Sequence, residues 1–213
     1  MPTRALEIID SRESKIIHSL HQSNLEERKI HIKWLTRTLR LTERRRALNH
    51  YGTLLFFCGK MGAGKSTLSV KIAQERGAVL ISEDAWLEAL YPGEIENFND
   101  YLNYSSRLKP ILREHVKQVL MTGASVVLDM PGNTRKQRDW FKGIYTEDEI
   151  PHELYYLTIG DAGCLKQLKE RQKQQPGRAH FDTEEVFKMV TSYFEPPSDS
   201  EGFNVVIVEP EIT

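Results

Sequence analysis

Cysteine is scarce in this chain: Cys58 and Cys164 are the only two in 213 residues. Two thiols exclude a disulfide framework, and nothing around them has metal-ligand spacing. Long apolar runs are missing too. The longest, Leu54–Cys58, falls far short of the roughly 18 residues that span a bilayer. The N-terminal stretch MPTRALEIIDSRESK carries acids early and no apolar segment, so it does not read as a secretory signal. These absences point to a reduced, cytoplasmic protein with no membrane partner. Net charge is also nearly lacking. At −1, from 29 basic and 30 acidic residues, it gives no reason by itself to expect a polyanion partner. What is present is a globular composition, 39% hydrophobic and 28% charged. The length suffices for one substantial core without staples.

The charge is unevenly spread. Residues 1–50 hold 11 Lys and Arg against 6 Asp and Glu, and four of the seven histidines. Helices are expected over 4–20 and 25–48, with Asn24 as an N-cap and Ile32, Leu35 and Leu39 forming an apolar stripe. This basic, helical extension either grips nucleic-acid phosphate or simply solvates its polar face. Arg44, Arg45 and Arg46 have a sufficient structural reason in the dipole of the second helix.

From residue 51 the pattern changes to alternation. Apolar strands are expected at 53–58, 78–82, 125–129, 153–159 and 204–208. Helices are expected at 65–76, 84–90, 104–122 (interrupted near Pro110), 135–143, 161–174 and 183–194. Strands alternating with helices predict a three-layer α/β domain over 51–213, built on a five-stranded parallel sheet.

The strongest signal is GKMGAGKS, Gly59 to Ser66, which fits G-x-x-x-x-G-K-[ST] between a buried strand and a helix. Gly59, Gly62 and Gly64 let the backbone curl so that amides of Lys60, Met61 and Ala63 face phosphate oxygens. Lys65 reaches the β- and γ-phosphates, Ser66 is placed for Mg²⁺, and Thr67 supports the loop. Asp84 follows the second strand, so it faces the same crevice and suits the task of orienting and deprotonating a hydroxyl. Its competing role is a helix N-cap, and Glu83 competes for the base role. Asp129 closes the third strand at the position of a second Mg²⁺ ligand, with a turn cap as the alternative. A basic set (Arg135, Lys136, Arg138, Lys166, Lys169, Arg171, Arg178) offers charge to neutralise a transferring phosphoryl group, or ordinary helix-surface charge.

In order along the chain, GKMGAGKST, ISED, VVLDMPGNTRKQRDW, GCLKQLKERQ and FEPPSDSEGFNVVIVE resemble the small P-loop kinases of the polynucleotide kinase and zeta-toxin type, an AAA-domain kinase group. The resemblance spans about 53–209. It implies ATP and Mg²⁺ as cofactors, Asp84 as the base and Arg171 as a lid arginine on the nucleotide phosphates. It implies metal and acceptor binding in 129–138, hence Asn133 and Arg138 on the acceptor side, with Arg178 supporting Arg171. Two positions depart from the group: Leu87 stands where an arginine is usual, and Asp129-Met-Pro-Gly-Asn133 replaces the usual Asp-x-Thr-Asn turn. The acceptor therefore need not be a polynucleotide end.

The expected activity is transfer of the ATP γ-phosphoryl group to a hydroxyl of a small molecule or nucleic-acid end. Two rivals stand beside it. Asp129 to Gly132 fits the D-x-x-G of GTP switches, although no [NT]-K-x-D guanine-reading motif occurs in the chain. The other rival is a nucleic-acid-binding module using residues 1–50, although no aromatic stacking platform supports it.

Overall fold

The computed structural model describes residues 51–174 and 181–209. The expectations for the basic extension 1–50, and for Arg178, lie outside the described residues.

The described chain runs β1 (Leu54–Cys58), α1 (Lys65–Arg76), β2 (Val79–Ser82), α2 (Glu83–Leu90), α3 (Phe98–Met121), β3 (Val126–Pro131) and α4 (Arg135–Tyr145). It continues through β4 (His152–Leu157), α5 (Asp161–Gln174), α6 (Glu184–Thr191), a 3₁₀ turn (Asp199–Glu201) and β5 (Val205–Val208). All five strands pair in parallel, in the order β2-β3-β1-β4-β5. The three-layer α/β architecture with a five-stranded parallel sheet is thus observed.

β1 explains why its sequence is a continuous apolar run. Every residue of it is fully buried, between β3 on one side and β4 on the other. Its side chains alternate across the sheet. Leu54, Phe56 and Cys58 join one core with Leu112 and Val116 of α3 and Phe141 of α4. Leu55 and Phe57 join a second core with Ile72 of α1, Leu168 of α5 and Phe187 of α6. Helices α1 and α4 therefore leave the central strands on opposite faces. The carboxyl ends of β1 and β3 lie where the connections diverge, the place where open α/β sheets bind ligands.

The expected break near Pro110 does not occur: α3 runs through it for 24 residues. A proline inside a helix costs about 3 kcal/mol. Leu108, Leu112, Val116 and Leu120 continue one buried stripe across that point. Burying each such side chain contributes about 1.5–3 kcal/mol, which outweighs the break. Among the described residues no helix is long and apolar enough to cross a membrane.

Candidate active site

The loop between β1 and α1 takes its shape from two glycines in the left-handed region, Gly62 at φ 74° and Gly64 at φ 90°. At Gly62 there is no room either. A Cβ there would lie 2.7 Å from the Cys164 carbonyl oxygen and 2.8 Å from Leu168 Cγ. The loop is thus seated directly against α5, and Lys60 pairs with Asp161 at the start of that helix. Gly59 N–H donates to Asn133 Oδ1 at 3.1 Å, so Asn133 braces the mouth of the loop.

Helix α1 differs from its neighbours at its start. Ser82, Asn97, Thr134 and Thr183 accept capping hydrogen bonds for α2, α3, α4 and α6. The N-cap of α1 is Gly64, with no side-chain cap and no acid in the first turn. Its first amides are left for an external anion, which the helix dipole also favours. Lys65 Nζ folds back to donate to the carbonyls of Gly59 (2.6 Å) and Lys60 (2.9 Å). Burial lowers its pKa to about 8, against the pull of nearby Asp129. A lysine held in this way gains from any phosphate that reaches it.

β3 carries a bulge at Asp129 and Met130. Phe56 pairs with Leu128, but Phe57 pairs with Pro131, so Asp129 and Met130 are extra on that side. On the other side Asp129 stays in register with Ser82. Ser66 Oγ donates to Asp129 Oδ1 at 3.1 Å, joining the end of the loop to the end of β3. Burial raises the Asp129 pKa, the Ser66 hydrogen bond opposes this, and the Asp84 carboxylate adds to it. This all-oxygen pair, with a carboxylate short of positive charge, fits Mg²⁺, which takes one or two protein oxygens beside substrate phosphates.

Burial separates Glu83 from Asp84. Glu83 is fully buried and accepts from Tyr101 Oη (2.7 Å) and Ser105 Oγ (2.6 Å) of α3. Asp84 is exposed to the cleft, and the cap of α2 is Ser82, which leaves Asp84 without that structural duty.

Arg171, near the end of α5, makes a two-pronged pair with Asp182: its Nε donates to Oδ2 at 2.6 Å and its Nη2 to Oδ1. Asp182 is buried, and Gln172 donates to its carbonyl at 2.6 Å. Nothing in the sequence flagged Asp182, which lies in the polar stretch after α5.

Arg138 is not an acceptor-side residue. It is fully buried and does not line the cleft. Nε and Nη2 bind the two Glu201 oxygens (2.7 and 2.9 Å), and Nη1 donates to the carbonyls of Gly132 (3.0 Å) and Glu195 (2.8 Å). It ties the C-terminal segment to the turn after β3. That turn also weakens the switch reading, because the Gly132 amide already donates to the Phe57 carbonyl at 2.9 Å.

Two connected spaces open on these residues. The larger, about 1240 Å³, runs along the phosphate loop and α5. The smaller, about 300 Å³, lies beside α2, α3 and α6. Gly62, Lys65, Ser66, Asp84, Asp129 and Arg171 form the wall common to both. Lys60, Met61, Ala63, Gly64 and Thr67 complete the loop, and Asn133 lines the smaller space. The arrangement brings together a phosphate cradle, a candidate metal pair, a carboxylate and a guanidinium.

Fold and loop together define a P-loop protein of kinase-like architecture. A family model described as an AAA domain matches residues 54–197, and the chain belongs to that family. No curated protein matches the chain. A candidate kinase from Chloroflexus aurantiacus superposes with a TM-score of 0.60 at 16% identity, over 75% of this chain and 86% of that one. Kti12 of Chaetomium thermophilum, in complex with ADP-AlF3, gives 0.56 at 14% identity, over 74% and 89%. The APS kinase of Mycobacterium tuberculosis, in complex with AMPPNP and APS, gives 0.50 at 17% identity, over 76% and 91%. At these identities the likeness is one of fold.

Proposed function

We propose that the domain is an ATP- and Mg²⁺-dependent kinase that transfers the γ-phosphoryl group to a hydroxyl. The observation that carries this reading is the common wall: a large cleft and a small one meet at Lys65, Ser66, Asp84, Asp129 and Arg171. A hydrolase or switch needs one nucleotide cleft and no second chamber. A transferase needs two substrates that meet at the reacting atom. The adenine nucleotides in the Kti12 and APS kinase structures support ATP as the donor on this fold. The motif order described above favours the polynucleotide kinase and zeta-toxin type.

In this reading the donor phosphates lie on the amides of the loop and the start of α1. Lys65 turns from the carbonyls of Gly59 and Lys60 to the β- and γ-phosphates. Ser66 and Asp129 would hold Mg²⁺, which would supply charge neutralisation to the donor phosphates. Asp84 accepts the proton of the acceptor hydroxyl as its oxygen attacks phosphorus in line. Arg171, aligned by Asp182, stabilises the equatorial oxygens.

The test follows γ-phosphate label from ATP and Mg²⁺ into 5′-hydroxyl DNA and RNA, UDP-sugars, aminoglycosides, chloramphenicol and a cell extract. Label in an organic product, lost in Asp84→Asn while nucleotide binding persists, is expected. Label released only as free phosphate, equally in Asp84→Asn, refutes the kinase.

A further inference from the structure

We infer that Glu83 is a positioning residue for the transfer step: anchored on α3, it sets the start of α2 and so the place from which Asp84 reaches the acceptor. The inference rests on the kinase reading and adds a residue to it. Helix α2 has eight residues, too few to hold its own shape in water. Its side-chain cap is weak. The Ala85 amide reaches Ser82 Oγ only at 3.4 Å, and Ser82 also hydrogen-bonds to Asp129. Glu83 supplies the firmer hold. Its Oε2 accepts from Tyr101 Oη at 2.7 Å and its Oε1 from Ser105 Oγ at 2.6 Å. Tyr101 and Ser105 are one turn apart on α3, so both hydroxyls come from one face of that helix. Two directed bonds fix the carboxyl in distance and in rotation.

The residue type argues for a duty in the reaction. Glu83 is fully buried, and burying an acid costs far more than burying an apolar side chain of similar volume. Leu87, one turn further on α2, shows the cheaper solution at the same interface. An apolar contact tolerates small slips, whereas a satisfied buried hydrogen-bond set holds one arrangement. The anchor also stands beside the proposed chemistry. Burial raises the Tyr101 pKa, and the carboxylates of Glu83, Asp84 and Asp129 add to the rise, so one hydroxyl feels all three acids. α3 is a stiff support, 24 residues long with Leu108, Leu112, Val116 and Leu120 buried along it. A shift of α2 by about 1 Å would take Asp84 off the attacking hydroxyl, a misplacement that can cost about 10²-fold in rate.

The experiment uses the full chain, Mg²⁺, γ-labelled ATP and the acceptor that takes label in the panel above. Glu83→Ala is expected to lower kcat about ten- to hundredfold, with the KM for ATP within about twofold. Glu83→Gln keeps the shape and can still bond both hydroxyls, so it stays within about threefold of wild type. Tyr101→Phe keeps the ring and removes one donor; its kcat falls between the two, and it carries the test where Glu83→Ala does not fold. In the Asp84→Asn background Glu83→Ala, or Tyr101→Phe in its place, changes the residual transfer by no more than about twofold, because there is no base left to position. The same loss in both backgrounds makes Glu83 a folding residue and overturns the inference. Glu83→Gln losing as much as Glu83→Ala also overturns it, since the acid and not the anchor would then matter. Product labelling that Asp84→Asn leaves unchanged overturns the inference and leaves the kinase standing. Label released only as free phosphate, equally in Asp84→Asn, overturns the kinase and the inference with it.

Discussion

Nucleotide binding should take up a proton, and Lys65 is the reason. In the ligand-free domain burial lowers its pKa to about 8, and its ammonium rests on two loop carbonyls. Phosphate oxygens at the same place supply several negative charges and restore an ordinary lysine value of about 10.4. At about pH 8.5 the free site is then roughly three quarters deprotonated, while the occupied site is almost fully protonated. Binding takes up about three quarters of a proton there, and only about a tenth at pH 7. The terminal phosphate itself, with a second pKa near 6, is already ionised at pH 8.5 and adds little. Affinity accordingly falls up to roughly tenfold per pH unit between about pH 8 and 10. The sign for folding follows from the same shift. The unfolded chain binds more protons between about pH 8 and the usual 10.5, so the ligand-free fold gains stability from this group as pH rises through that window. Titration calorimetry in two buffers of different ionisation enthalpy measures the uptake directly. No uptake at pH 8.5, or the same uptake in Lys65→Met with nucleotide in excess, would refute the argument.

Other outcomes follow from single contacts. Asp84→Asn should cut transfer about 10²- to 10⁴-fold by steady-state kinetics while nucleotide affinity stays within about twofold. Gly62→Ala combines a left-handed φ of 74° with a Cβ 2.7 Å from a carbonyl oxygen, so nucleotide affinity should fall about five- to hundredfold by fluorescence titration. Glu201→Ala strands the fully buried Arg138 charge, and chemical denaturation should show a loss of about 3–5 kcal/mol. Asp182→Asn should lower kcat about tenfold without a matching rise in the nucleotide KM, because Arg171 keeps its place on α5 but loses its alignment.

What could be read in the sequence was what local chemistry determines. β1 is buried on both faces, so its signal is an unbroken apolar run, and the loop after it is dictated by glycines that few other residues could replace. The strand and helix alternation followed from the same local patterns, and the parallel sheet from their order. The misreadings share a cause. Pro110 signals a break locally, but the stripe from Leu108 to Leu120 is paid back only when α3 meets the sheet. Arg138 sits in a run of basic residues and reads as an acceptor-side cation, but its partner Glu201 is 63 residues away. Asp182 reads as loop, yet it sets the direction of Arg171. The choice between Glu83 and Asp84 is of the same kind. The two are adjacent acids at a helix start, and only the hydroxyls of Tyr101 and Ser105, arriving from α3, take Glu83 into the core. The smaller chamber shows the limit most clearly. Its lining comes from α2, α3, β3 and α6, and no one segment betrays it. A phosphate loop is a local motif and announces itself. A chamber is assembled by the fold, so its chemistry is written in residues that only tertiary structure brings together.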